Sequence, residues 1–347
     1  MGDHRAARHV VVLSSTWGDG SDRAFAVRGL AGAMSRVTTI DVLVPGTTEP
    51  ARADGLFDLI PLGRPTGGRW PGPEEASWPD GLSADLVLLD QTDDQAVALA
   101  GRYLTGCPVV AIGQPGPSLD DQGIDALVVV GPPPPAMSDG ATTSAPVHRV
   151  GLHVPINPLA ARRRHNGFGF TNYVLVLSDR SPTDVDADPG PPPAAVAWLT
   201  AGLPDRDLVV VEDGVASAWR SRSLRGRVAI DTRTDLWRLV AHALVTVDLA
   251  PGSLLARECV ESLRYGTPVV VPAGTAAAEL AGSGGGLWYS GPAELLACVE
   301  ALDDRQLRDE LGGQGRELAD TWYGDPTAFV DRVGAMLDAV LEGRPQR

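Results

Sequence analysis

The chain has 347 residues, 44% of them hydrophobic, and a formal net charge of −15 at pH 7. This length predicts about two domains, each of roughly 100–200 residues. The acidic balance argues against nucleic acid or an anionic membrane as the main partner, and no apolar run approaches the roughly 20 residues that span a bilayer.

Apolar, strand-like runs alternate with helical stretches in the first half of the chain. The runs lie at residues 10–13, 39–44, 57–62, 85–90, 108–112 and 126–130. Because this alternation is typical of βαβ units, we predict a parallel sheet in an N-terminal domain of residues 1–152. Residues 66–81 carry prolines beside tryptophans and predict a long loop, whose tryptophans either pack at an edge or contact an acceptor.

A proline-rich stretch, residues 131–146, then predicts a surface excursion. Beyond it the alternation resumes, with strand-like runs at 173–178, 207–212, 227–231, 244–249, 268–272 and 286–290. We predict a second parallel-sheet domain of residues 153–325, with a ligand cleft between the two domains. The rest of the chain has apolar residues at helical spacing, and we expect a final helix in residues 326–347 to pack back toward the N-terminal domain.

The cysteines and the missing lysines limit the chemistry. Cys107, Cys259 and Cys298 are odd in number and lack metal-ligand spacing, which argues against a disulfide framework or a zinc site and favours the cytoplasm. The first residues lack the longer apolar segment of a signal peptide. All the fixed side-chain cations are arginines, so no lysine can act as a base or a phosphate ligand.

The first βα turn is a candidate ligand site. In STWGDGSDRAFAVRGLAGAM, Gly18 and Gly20 precede a predicted helix. Such glycines allow a backbone to approach a phosphate or a sugar, and a helix N-terminus offers unpaired N–H groups. Many βα turns contain glycine for geometry alone, so both interpretations stay open.

The second half carries an ordered set of motifs. They are LSDRSPT, VVVEDG, APGSLLARECVESLRYGTPVV and AGTAAAEL, the last with Glu279. Their order across most of residues 170–325 resembles the donor domain of retaining glycosyltransferases of the GT-B fold, family four (glycosyl transferases group 1). The resemblance implies an α/β, GT-B-like protein in which two Rossmann-like parallel-sheet domains face each other across a cleft. The N-terminal domain would be the acceptor side, and the C-terminal domain would bind the nucleotide sugar. The resemblance further implies transfer of a hexose from a nucleoside diphosphate sugar to an unknown acceptor with retention, without a further cofactor.

The resemblance assigns roles to particular residues. Glu261 would accept hydrogen bonds from the ribose hydroxyls of the nucleotide, with Glu258 as the second candidate and an exposed helix glutamate as the structural alternative. Arg180 would grip the diphosphate, for which a forked, permanently charged group is suited, unless it pairs with Asp179. Gly214 matches the turn after a strand in the same pattern.

The chain departs from the family pattern at several points. Ser253 stands where the family has the glutamate that contacts the donor sugar, although the backbone N–H groups from Gly252 through Leu254 could still hold sugar or phosphate. The usual lysine is missing, and Gln114 lies where a histidine is common. The alternative function is therefore a catalytically degenerate GT-B-like protein that acts as a binding or scaffold partner. The acidic residues at 184–188 lack the glutamate that closes a calcium loop, so we predict no metal site.

Overall fold

The computed structural model describes residues 8–17, 22–45, 59–62, 70–91, 93–113, 123–131, 145–157, 172–177, 194–211, 228–231, 236–249 and 256–343. The chain divides by its internal contacts into two compact units. The first unit is Met1–His153 with Asp325–Arg347, and the second is Val154–Gly324.

The first unit contains a sheet of parallel strands. Its described strands are β1 (His9–Leu13), β2 (Thr39–Pro45), β3 (Leu59–Leu62), β4 (Leu86–Leu89), β5 (Val109–Ile112), β6 (Ala126–Val130) and β7 (Val147–Val150). They are ordered β3-β2-β1-β4-β5-β6-β7. The chain therefore runs outward from β1 in one direction and then resumes at β4 on the other side of β1.

The second unit contains a sheet of the same kind. Its described strands are β8 (Tyr173–Leu177), β9 (Leu208–Val211), β10 (Val228–Asp231), β11 (Ala243–Asp248), β12 (Val269–Pro272) and β13 (Gly286–Tyr289). The order is β10-β9-β8-β11-β12-β13, and the pairings are again parallel. All twelve predicted strands are present. They could be predicted because a strand covered on both faces needs a nearly continuous apolar run, which is visible in the sequence.

The strand that the sequence did not predict is β7. Its sequence, VHRV, includes His148 and Arg149 and has only one buried residue, Val150. Because it lies at the edge of the sheet, it needs less apolar surface than an inner strand. Because two of its four residues are polar, no apolar run indicates this strand in the sequence.

Helices connect the strands and cover the sheets. They are α1 (Asp22–Met34), α2 (Asp94–Tyr103), α3 (Ala194–Gly202), α4 (Leu236–Val240), α5 (Arg257–Arg264), α6 (Ala276–Leu280), α7 (Pro292–Ala301), α8 (Arg305–Ala319) and α9 (Pro326–Glu342), with π-type turns at Ala281–Gly285 and Asp320–Gly324. The last helix, α9, belongs to the first unit and contacts α1 and β7. None of the helices in the described ranges is long and apolar enough to cross a membrane.

The tryptophans of the predicted loop pack inside the first unit. Residues 70–81, the described part of the predicted loop, form no helix or strand, as predicted. Trp70 is only 3% exposed and belongs to the core. The ring of Trp78 stacks on that of Tyr103 in α2, with 4.6 Å between centroids, and the Tyr103 hydroxyl donates to the carbonyl of Pro73 at 2.7 Å. These contacts favour the packing interpretation of this loop.

Candidate functional site

The strand order of the second sheet indicates the edge at which a ligand would bind. Adjacent strands β8 and β11 are followed by connections that run in opposite directions. Their carboxyl ends lie side by side, since the N–H of Leu249 donates to the carbonyl of Leu177 at 3.0 Å. In open α/β sheets, ligands bind outside the carboxyl ends of the strands at such a reversal. We therefore treat this edge of the second unit as the candidate site.

A buried carboxylate ends β11 at this edge. Asp248 is 5% exposed, and its Oδ2 accepts a weak hydrogen bond from the Cys259 thiol at 3.6 Å. The hydroxyl of Tyr289, at the end of β13, donates to the Asp248 carbonyl at 3.1 Å. Burial raises the pKa of Tyr289 from 10.0 to about 12, and the charge of Asp248 adds to the effect. Asp248 was not among the predicted site residues, although an aspartate that closes the apolar run LVTVD is a visible signal in the sequence.

Helix α5 begins beside this edge, and the residue before it has an unusual backbone conformation. Ala256, which precedes α5, has φ 49° and ψ 48° and is buried. A residue with a Cβ in this left-handed region costs about 1–2 kcal/mol, and such residues cluster at functional sites. The surrounding structure therefore determines where α5 begins.

Three buried hydroxyl groups hold α5 against its neighbours. Thr246 Oγ1 and Ser262 Oγ are 2.7 Å apart, and Ser262 also donates to the carbonyl of Thr267 at 3.1 Å. The Thr267 hydroxyl donates to the carbonyl of Val240 at 2.7 Å. Gly266 ends the helix with φ 79°, a conformation suited to glycine. The Gly-Thr-Pro turn thus both stops α5 and bonds it to the adjoining elements before β12 begins.

Glu261 projects from α5 into a buried position. It is 7% exposed, which excludes the alternative of an exposed helix glutamate. Its Oε1 accepts a hydrogen bond from Arg257 Nε, one helical turn earlier, at 2.9 Å. Buried charges are normally paired, and the ion pair with Arg257 meets this requirement for Glu261. Glu258 lies three residues earlier and is partly exposed.

Glu279, from the last of the sequence motifs, lies in α6 and is partly buried. The hydroxyl of Thr275 caps this helix by accepting from the N–H of Ala278 at 3.2 Å. The other predicted site residues lie outside the described residues, and their roles stay predictions: Gly18, Gly20, Arg180, Gly214, Gly252, Ser253 and Leu254.

Comparison with known proteins defines the fold. No protein-family model and no curated protein sequence matches the chain. Among solved structures, it is similar to Anabaena HepE in complex with UDP-glucose, with 14% identity, 96% of this chain and 100% of that chain covered, and a TM-score of 0.64. It is also similar to sucrose-phosphate synthase from Thermosynechococcus elongatus, with 13% identity, 97% and 100% covered, and a TM-score of 0.67.

A third similar structure is a glycosyltransferase from Rickettsia africae, with 10% identity, 98% of this chain and 100% of that chain covered, and a TM-score of 0.67. The similarity extends over nearly the whole of each chain, including both parallel sheets. The chain is therefore an α/β protein with the two-domain, GT-B-like fold of glycosyltransferases, which confirms the predicted fold class.

Proposed function

We propose that this protein is a retaining glycosyltransferase that moves a hexose from a nucleoside diphosphate sugar to a hydroxyl-bearing acceptor. The observation that carries the proposal is the fold, which is shared over nearly the full length with three solved structures: HepE in complex with UDP-glucose, a sucrose-phosphate synthase and a glycosyltransferase. Fold alone does not define function, so the buried carboxylate of Glu261, on the helix whose Cys259 contacts Asp248 at the end of β11, supplies the second support.

In this proposal the second unit holds the donor. Glu261 accepts hydrogen bonds from the two ribose hydroxyls, and its ion pair with Arg257 holds the carboxylate in place. The buried hydroxyls of Thr246, Ser262 and Thr267 fix α5 and therefore fix the carboxylate. Rigid support of this kind lets binding energy go into positioning rather than into ordering the site.

Arg180 is proposed to hold the diphosphate, and the backbone of Gly252, Ser253 and Leu254 to contact the donor sugar or phosphate. As the bond to the sugar breaks, negative charge grows on the diphosphate, and a fixed guanidinium aimed at it stabilises the transition state. The acceptor hydroxyl attacks from the same face that the diphosphate leaves, and the departing phosphate takes its proton. The sequence contains no lysine, so arginine supplies the side-chain positive charge in this scheme.

Calorimetry with uridine, guanosine, adenosine and thymidine diphosphates tests the donor site. We expect one of them to bind the wild-type protein. Glu261→Gln should weaken that binding by about 10–100-fold, because a hydrogen bond to a charged group contributes about 1.5–3 kcal/mol. Glu258→Gln is the matched control on the same helix and should change the affinity less than about threefold. The assignment is wrong if the control loses affinity and Glu261→Gln does not.

Turnover is tested separately, with the UDP, GDP, ADP and TDP derivatives of glucose. We expect release of the free nucleoside diphosphate from the glucose derivative whose nucleotide binds in calorimetry. The release should be slow when water is the acceptor and faster when an acceptor hydroxyl compound is added. Tight binding with no release from any derivative would contradict transfer. Failure of all four diphosphates to bind would contradict the donor class itself.

A further inference from the structure

The second unit contains a pocket of about 360 Å³, within the range of roughly 300–1,000 Å³ that is usual for small-molecule sites. It is lined by Ser283, Gln314, Glu317, Leu318, Thr321 and Trp322. The pocket is open to solvent, since three of these side chains are exposed. Ser283 lies in the turn that leads into β13, so the pocket adjoins the amino end of that strand. The donor is proposed to bind at the opposite, carboxyl end of the same sheet.

Two π-type turns shape this pocket. Ala281–Gly285 supplies the serine, and Asp320–Gly324 supplies the threonine and the tryptophan. Glycines bring the first turn close to α8, because a Cβ added at Gly315 would be only 2.9 Å from the Cα of Gly285. Turns of the π type are rare and occur frequently at functional sites. Two of them at one pocket therefore indicate a ligand site.

The hydrogen bonds around the pocket leave mainly acceptors for a ligand. The hydroxyl of Ser283 donates to the carbonyl of Glu279 at 2.8 Å, and that of Thr321 donates to the carbonyl of Glu317 at 2.8 Å. A hydroxyl that has used its proton offers only lone pairs, and the ionised carboxylate of Glu317 likewise only accepts. The pocket therefore suits a ligand that donates hydrogen bonds.

The charge at the pocket is negative. Within the described ranges Glu317 forms no ion pair. The neighbouring arginines are engaged by Asp320, which accepts from Arg264 Nε at 3.1 Å and lies 3.6 Å from Arg316 Nε. A carboxylate attracts a cation directly, and the ring of Trp322 adds the attraction of its π face. An anionic ligand would be repelled here.

We propose that this pocket binds a small aliphatic amine through its protonated primary ammonium group. The ammonium donates three hydrogen bonds, to the carboxylate of Glu317 and to the oxygens of Ser283 and Thr321, and its alkyl chain contacts Leu318. A quaternary ammonium could not use these acceptors. The sequence contains no lysine, so no side chain of this protein or of a second copy supplies the group. The inference goes beyond the proposed function and does not depend on it.

Putrescine is the probe, and 1,4-butanediol, which has the same carbon chain but no charge, is its neutral counterpart. Saturation-transfer NMR titrations of the full-length protein at low ionic strength measure both affinities. We expect putrescine to bind at least about tenfold more tightly than the diol. Its affinity should fall in about 1 M sodium chloride, where the Debye length is about 3 Å. The proposal is overturned if putrescine does not bind, or if the diol binds as tightly.

Two variants of α8 locate the binding. Glu317→Gln removes the charge, keeps the size and changes an exposed side chain. Asp309→Asn is the matched control, since it removes the same charge from an exposed position about 12 Å away along the helix. Its exposed ion pair with Arg305 contributes little to stability.

We expect the putrescine affinity to fall at least about threefold in Glu317→Gln, and less than about 1.5-fold in Asp309→Asn. Unchanged binding in Glu317→Gln would overturn the proposal. Equal losses in the two variants would also overturn it, because they would show a general attraction to the acidic surface.

Calorimetry with the four nucleoside diphosphates on the same samples distinguishes this inference from the proposed function. Glu317→Gln should keep the diphosphate affinity of the wild type within about twofold, since the pocket and the donor edge lie at opposite ends of the strands. A larger change would contradict a separate amine site. If no diphosphate binds but putrescine does, the proposed function fails and this inference stands.

Discussion

Alanine at Gly312 and alanine at the adjacent Gly313 should change the stability of the protein in opposite directions. Both glycines lie inside α8. A Cβ added at Gly312 would be 2.2 Å from the carbonyl oxygen of Gly266, where ordinary contact is 3.4–4 Å. A Cβ added at Gly313 would meet nothing within 4 Å. The close approach of α8 to the end of α5 therefore depends on one glycine of the pair.

The magnitudes follow from two effects. Alanine in a helix interior is more stable than glycine by about 0.5–1 kcal/mol, and Gly313→Ala should gain this amount. Gly312→Ala has the same gain, but the atom that it meets belongs to the backbone and cannot swing aside. Overpacking costs about 1–3 kcal/mol, so we expect a net loss of about 1–2 kcal/mol.

Thermal unfolding of the two full-length variants, followed by circular dichroism, measures the difference. For a unit of this size, 1 kcal/mol corresponds to about 2–4 °C in melting temperature. We expect Gly313→Ala to melt above the wild type and Gly312→Ala several degrees below it. Equal changes in the two variants would refute the reasoning, because helix propensity alone would then explain both.

Two further predictions concern tyrosines of the second unit. The pKa of Tyr289 is about 12 in the fold and 10.0 without it, so its contribution to stability is complete below about pH 10 and disappears as the pH rises toward 12. Unfolding measured against pH should show this alkaline loss in the wild type and less of it in Tyr289→Phe; equal slopes would count against it. The Tyr265 hydroxyl donates to the carbonyl of Asn157 at 2.8 Å and accepts from its N–H at 3.0 Å. Tyr265→Phe should cost about 1–2 kcal/mol and speed exchange of the Asn157 amide hydrogen, and unchanged exchange would disprove this.

The glutamate on α5 could be selected from the sequence because the motif on which the family resemblance rests is local. The helix, the Gly-Thr-Pro turn and the following strand are continuous in the chain, and Glu261 occupies a definite place in that order. Its burial and its ion pair with Arg257 needed the structure. Asp248 lies inside the predicted strand 244–249 and was not a predicted site residue, since its meeting with Tyr289 depends on which strands are neighbours.

The sequence by itself determined the alternation of strands and helices and the two parallel sheets, because short apolar runs rich in β-branched residues and separated by helical stretches are typical of strands buried on both faces. It could not decide that Asp90 meets Ser14, which is 76 residues away, or that a Cβ would collide with Gly266 at position 312 and meet nothing within 4 Å at position 313. Those contacts depend on strand order and on the distance between helices. Such quantities are properties of the packed chain, in which side chains distant in sequence become neighbours only after every layer is in place.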